Sequence, residues 1–185
     1  MNKLKTDLNY YSFKSAIGEI YYIWSSSYNE SETANETDNL LLLINYIGLG
    51  RSAFNNYLDK IAKIFYRTEP VIIESRNKFV EDEINNFLEK RSKEINLTPD
   101  FLTGTDFEKT IWSELIKIPY GRTASYKKVA SLAGKPNACR AAGTAIGKNP
   151  LLILVPCHRV IKSSGEMGNF SSGVKIKKLL LDLES

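Results

Sequence analysis

The chain is expected to fold as an α/β N-terminal lobe with a small antiparallel sheet, followed by a mostly α C-terminal domain containing a helix-turn-helix. Three observations predict this. Aromatic, extended segments separated by turn residues fill the first 50 positions, helical apolar spacing dominates after residue 100, and two short helical segments there flank Gly134-Lys135-Pro136-Asn137. At 185 residues the chain suits one domain or two compact lobes, with the expected division at 1–98 and 99–185.

Tyr10 to Ser15 and Glu19 to Ser25, separated by Ala16-Ile17-Gly18, predict a hairpin. The acidic, polar stretch from Ser26 to Asn39 reads as a loop insert. Leu40 to Ile47 is apolar throughout, so it reads as a buried strand, although a run this short also suits a helix. Phe54, Leu58, Ile61, Ala62 and Phe65 recur at helical spacing, as do Phe79, Ile84, Phe87 and Leu88. Asn96 to Asp100, with Pro99, marks the expected boundary. Beyond it Phe107, Ile111, Leu115 and Ile118 predict a helix stopped at Pro119-Tyr120-Gly121. Ser125 is placed to cap a helix carrying Val129 and Leu132 that ends at Gly134. Leu151 to Val155 reads as an apolar strand.

The next helix carries Ala138, Ala141, Ala142, Gly143, Ala145 and Gly147, which leave little side-chain bulk. Such a surface permits close packing in a core or close approach to DNA. A minor groove is about 6 Å wide and a side-chain-clad helix about 10–12 Å across. Minor-groove entry therefore requires a stripped helix and a widened, bent duplex. Charge favours a polyanionic partner: Thr103 to Ser185 holds 13 Lys+Arg against 6 Asp+Glu, whereas the preceding residues hold 12 against 15. An ordinary solvated basic face would produce the same count.

Chemistry concentrates at Val155-Pro156-Cys157-His158-Arg159-Val160, where the only histidine adjoins one of two cysteines. The neighbouring imidazole and guanidinium favour thiolate, while the apolar approach from Leu151 favours the neutral thiol. The sequence leaves that balance open. No apolar run nears the roughly 20 residues needed to span a bilayer. No signal-peptide core follows Met1, so an intracellular, cytoplasmic (in a eukaryote, nuclear) protein with reduced cysteines is expected.

Gly121-Arg122-Thr123-Ala124-Ser125-Tyr126, Ala141-Ala142-Gly143, Asn149-Pro150, Pro156-Cys157-His158-Arg159-Val160 and Ser164-Gly165 through Gly168-Asn169-Phe170-Ser171 together resemble the O6-alkylguanine-DNA alkyltransferases, in order and spacing, over about Phe107 to Glu184. The resemblance implies single-turnover repair of double-stranded DNA containing O6-alkylguanine, with Cys157 keeping the alkyl group as a thioether. It implies that His158 deprotonates the thiol through a water, that Glu184 orients the imidazole, and that Asn149 braces the turn leading to the active-site strand. Tyr126 would assist the departing guanine and the Ser171 amide would donate to its oxygen. Phe170 would form a wall for the base, and the Cys157 and Val160 carbonyls would accept from its exocyclic amine. Arg140 would fill the duplex gap left by the flipped nucleotide, with Ala138, Ala141 and Gly143 as the small residues facing DNA.

Two positions depart from the family, which commonly has tyrosine at Phe170 and glycine at Ser172. The serine would disturb the loop if the site required positive φ. Cys139 stands where alanine is common and reads as a packing residue. The resemblance implies no cofactor and a monomer. Zinc, carried by some relatives in the N-terminal lobe, is not expected, because two cysteines and one histidine cannot supply four ligands. Two other functions compete. A damage sensor of the same family would lack the acceptor, which Cys157 argues against. A cysteine hydrolase would need the imidazole to approach the sulfur directly, and neighbours on a strand point apart.

Overall fold

The computed structural model describes residues 7–28, 40–65 and 70–185. The expected hairpin forms: β1 (Leu8–Ser15) and β2 (Gly18–Tyr28) pair antiparallel with Ser15 opposite Gly18. Ser15 Oγ closes the turn, donating to the Gly18 carbonyl at 2.7 Å and accepting from the Ile17 amide. Of the expected insert, residues 26–28 belong to β2, and 29–39 lie outside the described residues.

β2 also pairs antiparallel with β3 (Leu40–Leu49), so the strand reading of that apolar run holds. After α1 (Arg51–Ile64), β4 (Ile72–Glu74) joins β1 in parallel; after α2 (Lys78–Leu88), β5 (Thr98–Pro99) joins β3 in parallel. The sheet, in order β4-β1-β2-β3-β5, is therefore mixed and not purely antiparallel. The helical crossovers explain this, since each returns the chain in the direction a parallel edge requires.

A bulge in β3 decides which residues face which side. Ile23 pairs with Tyr46 but Trp24 with Ile44, leaving Asn45 as the extra residue. Ile44 and Ile47 thereby join Ile20 and Tyr22 in the main core, while Tyr46 joins Tyr21, Ile23, Phe54, Tyr57 and Ile61 beneath α1. Both faces of β3 are covered, which is why its sequence shows no alternation.

The main core continues without a break into the second half. Ile111, Trp112 and Leu115 of α3 (Asp106–Ile116) lie in it with Ile44 and Ile47, and each such side chain contributes roughly 1.5–3 kcal/mol by leaving water. The expected division at 98/99 falls between the two residues of β5. Thr105 and Glu108 form a capping box that starts α3. Ser125 caps α4 (Tyr126–Leu132) by accepting from the Lys128 amide at 3.1 Å, and Gly134 ends it at φ 72°, both as expected. Residues 133–138 lead to α5 (Cys139–Gly147), which buries Ala142, Ala145 and Ile146 and exposes Arg140, Ala141 and Thr144. Trp112 Nε1 donates to the Ala145 carbonyl at 2.8 Å, and Lys148 pairs with Glu108 at 2.6 Å, fixing α5 against α3. A parallel pair unforeseen from sequence, β6 (Ala124–Ser125) with β7 (Val160–Ile161), and α6 (Val174–Leu183) complete the architecture.

Leu151 to Val155 is a buried turn, contrary to the expected strand. It forms one bridge with β3, Ile47 to Leu151, where the Leu152 amide donates to the Ile47 carbonyl, while the Leu154 and Val155 amides bond locally. Leu154 N reaches the Leu152 carbonyl across Ile153, whose φ is 71°, the pattern of a strained γ-turn. Cys157 N reaches the Val155 carbonyl across Pro156 at φ −78° and ψ 61°, an inverse γ-turn. The strain at Ile153 costs about 1–3 kcal/mol and persists where surrounding contacts enforce it. No helix among the described residues is long and apolar enough to cross a membrane.

Candidate functional site

The two γ-turns deliver Cys157 to the start of a 3-10 turn, Cys157–Arg159, in which Cys157, His158 and Arg159 are all buried. Their side chains diverge into different partnerships because they occupy a tight turn; the strand geometry invoked to separate them is absent.

His158 is fully buried, with Nε2 at 2.7 Å from Glu184 Oε1. An ionised carboxylate only accepts, so the neutral imidazole carries its proton on Nε2 and leaves Nδ1 as acceptor. Nδ1 is the one buried side-chain nitrogen or oxygen without a hydrogen-bond partner among the described residues. Burial lowers the imidazole pKa and outweighs the opposing pull of Glu184, so the ring rests neutral near pH 7.

Glu184 is buried at the C-cap of α6. Arg159 holds it through Nε at 3.1 and 2.9 Å and Nη2 at 2.9 Å, and the Gly121 amide donates to Oε2 at 3.0 Å. Burial alone would raise its pKa, but these donors and His158 bring it to about 2. Tyr120 OH donates to the adjoining Leu183 carbonyl at 3.0 Å. Gly121 is required here: its φ is 68°, and a Cβ would stand 3.0 Å from the Glu184 carbonyl oxygen. Arg159 also donates to the Ile118 carbonyl and lies over the Tyr120 ring, so its guanidinium serves Glu184 and not the thiol as its sequence position suggested.

Cys157 is 3% exposed. Burial raises its pKa, against the Asn149 amide and the Lys177 ammonium, which resolves the balance left open by the sequence in favour of a neutral resting thiol. Asn149 Nδ2 lies 3.1 Å from Sγ, donates to the Val155 carbonyl at 2.8 Å, and its Oδ1 accepts from Leu151 N at 3.0 Å. It thus braces the turn and also contacts the sulfur, a contact its sequence position did not reveal.

A cavity of about 690 Å³ is lined by Tyr126, Arg140, Gly143, Phe170, Ser171 and their neighbours, while Cys157, His158, Asn149 and Glu184 are not among its lining residues. Tyr126 OH lies 3.4 Å from the Asn169 carbonyl, and burial raises its pKa, keeping the phenol protonated. Gly168 admits the ring: its φ is 68°, and a Cβ there would stand 2.8 Å from the Tyr126 oxygen. Among the described residues the non-glycine positive φ values belong to Lys90 and Ile153, so Ser172 does not occupy a conformation that needs glycine. Ala141 is exposed on α5 but does not line this cavity, and Ala138 lines a smaller concavity at Gly134–Asn137. The Cys157 carbonyl accepts from Val160 N, and the Val160 carbonyl accepts from Lys177, each retaining a second lone pair. Lys177 is fully buried, a residue that sequence reasoning missed because Lys175-Ile176-Lys177-Lys178 reads as a solvated run.

Residues 106–185 match the family model described as the DNA-binding domain of 6-O-methylguanine DNA methyltransferase. A methylated-DNA–protein-cysteine methyltransferase of Methanosarcina barkeri is 48% identical over 93 residues, covering 50% of this chain and 57% of that protein. One from Candida glabrata is 35% identical over 139 residues, covering 72% of this chain and 67% of that protein. The chain thus spans little more than half the length of some curated relatives it matches. The crystal structure of Mycobacterium tuberculosis OGT in complex with DNA is 30% identical, with a TM-score of 0.70, and the match covers 95% of this chain and 92% of that one. By sequence and by fold, this chain belongs to the O6-alkylguanine-DNA alkyltransferase family.

Proposed function

We propose that this chain repairs O6-alkylguanine in double-stranded DNA by irreversible transfer of the alkyl group to Cys157. The observation that carries this reading is the burial of Cys157, His158 and Glu184, with a neutral imidazole whose Nδ1 has no partner among the described residues and, at the adjoining position, a thiol held by Asn149. A neutral thiol needs a base, and a base held by a third group is the logic of an activated nucleophile.

In the proposed reaction, His158 Nδ1 withdraws the thiol proton through one water while Glu184 supports the imidazolium that forms. The Cys157 sulfur attacks the alkyl carbon, a C–S bond forms, and the bond from carbon to guanine O6 breaks. Tyr126 hydroxyl and the Ser171 amide stabilise charge on the departing base, and the phenol or solvent supplies its proton. The thioether product has no carbonyl for water to attack, so the chain is consumed. Phe170 provides the aromatic wall of the base site, and the Cys157 and Val160 carbonyls accept from the exocyclic amine with their remaining lone pairs.

α4 and α5 act as a helix-turn-helix, with the exposed small-residue face of α5 entering the minor groove. Ala138, Ala141 and Gly143 permit that approach, and Arg140, exposed at the rim of the cavity, fills the gap left by the flipped nucleotide. Basic side chains of the second half contact phosphates, so binding weakens as salt rises. The number of O6-methylguanine residues repaired per chain tests the proposal. At most one is expected under excess methylated duplex, and sustained turnover would contradict it.

A further inference from the structure

Lys177 is an ammonium in the interior. Its side chain is fully buried on α6, and Nζ donates to the Val160 and Met167 carbonyls. It lies 5.8 Å from the centre of the Tyr126 ring and 5.9 Å from that of Phe170. No carboxylate pairs with it among the described residues, although a buried charge is costly unless paired. Val160, to which it is tied, closes the 3-10 turn by donating to the Cys157 carbonyl. The charge is therefore anchored to the nucleophile's own turn and to two walls of the base site.

We propose that Lys177 is a positioning residue and the counter-ion of the Cys157 thiolate, its ammonium held by the Val160 and Met167 carbonyls against the Tyr126 and Phe170 rings. The proposal rests on Cys157 being the acceptor and gives that site the positive charge a reactive thiolate requires. The titratable groups that interact with it are Tyr126 from α4 and Cys157 and His158 from the turn. Glu184 is saturated by His158, Arg159 and Gly121, which leaves the sulfur as the anion available to Lys177. The coupling is reciprocal: burial pushes the Lys177 pKa down while Cys157 pulls it up, and Lys177 in turn lowers that of Cys157. Lys177 also disfavours protonation of His158, helping to keep the base neutral before reaction.

The test follows the thiol itself, apart from DNA repair. The pH dependence of Cys157 labelling by iodoacetamide, resolved by peptide mass spectrometry, is measured in the unaltered chain, Lys177→Met and Lys177→Arg. Lys177→Met should raise the midpoint by about one pH unit or more, which slows labelling at pH 7 about tenfold. Lys177→Arg, which keeps the charge, should recover most of that shift. An unchanged midpoint in folded Lys177→Met would overturn the proposal. Should Lys177→Met fail to fold, the unaltered chain decides: capping Cys157 with methyl methanethiosulfonate should lower the Lys177 ammonium pKa, followed by NMR of carbon-labelled lysine, and no change would refute the pairing. Because neither reagent is a repair substrate, failure of methyl transfer from DNA would count against the repair reading and leave this result standing.

Discussion

At the β3 bulge, Asn45 is fully buried, and its polar groups are taken up by neighbours. Ser25 Oγ donates to its Oδ1 at 2.9 Å, its Nδ2 donates to Asp100 at 2.9 Å, and Tyr57 donates to its carbonyl at 2.7 Å. Around Cys157 the burial is similar but satisfaction is incomplete: among the described residues His158 Nδ1 lacks a partner, and Lys177 lacks a carboxylate. A satisfied network specifies one arrangement of sheet and linker. An incompletely satisfied one retains a lone pair and a charge for chemistry, at a cost in stability. The two halves share one core, so variants can show whether these roles separate.

His158→Ala should have the largest effect, slowing methyl transfer about 100-fold or more and flattening its pH dependence, as loss of a general base does. Single-turnover rates across pH check this, and an unaltered profile would remove His158 from the reaction. Glu184→Gln should change how stability depends on acid. A carboxyl held at about 2 when folded, against 4.5 ordinarily, contributes stability that is present above pH 4.5 and lost as pH falls toward 2. That contribution is on the order of 3 kcal/mol. Urea unfolding at several pH values should show a flatter acid limb in the variant.

Asn45→Ala should cost about 1–3 kcal/mol, the penalty of stranding its buried partners. The transfer rate of the folded fraction should stay unchanged. Slower chemistry in folded Asn45→Ala would break the separation of the two clusters. Arg140→Ala should have the smallest effect, weakening repair of duplex DNA about tenfold while sparing reaction with free O6-methylguanine, since flipping costs a few kcal/mol. Equal loss on both substrates would remove Arg140 from the flipping step.

The helices and the hairpin were legible because amphipathic spacing and turn residues act locally. Ser125 and Gly134 announced the limits of α4 by capping chemistry alone. The family resemblance pointed to Cys157, His158 and Glu184, and to the contact between the last two, but not to the partners of Arg159 and Asn149. Arg159, placed beside the thiol in sequence, serves Glu184, and Asn149 reaches Sγ across eight residues. Leu151 to Val155 misled because a buried turn and a buried strand share an apolar composition, and nothing in Ile153 signals a positive φ. The bulge at Asn45 and the burial of Lys177 depend on partners distant in sequence, which periodicity does not register.

The proposed chemistry stands or falls on Cys157 as the alkyl acceptor. It is tested most directly by incubating the chain with duplex DNA containing O6-methylguanine and measuring intact and peptide masses. One added methyl group per chain is expected, located on Cys157 and absent from Cys157→Ser. Demethylated DNA with an unmodified chain, or a methyl group carried elsewhere, would contradict it.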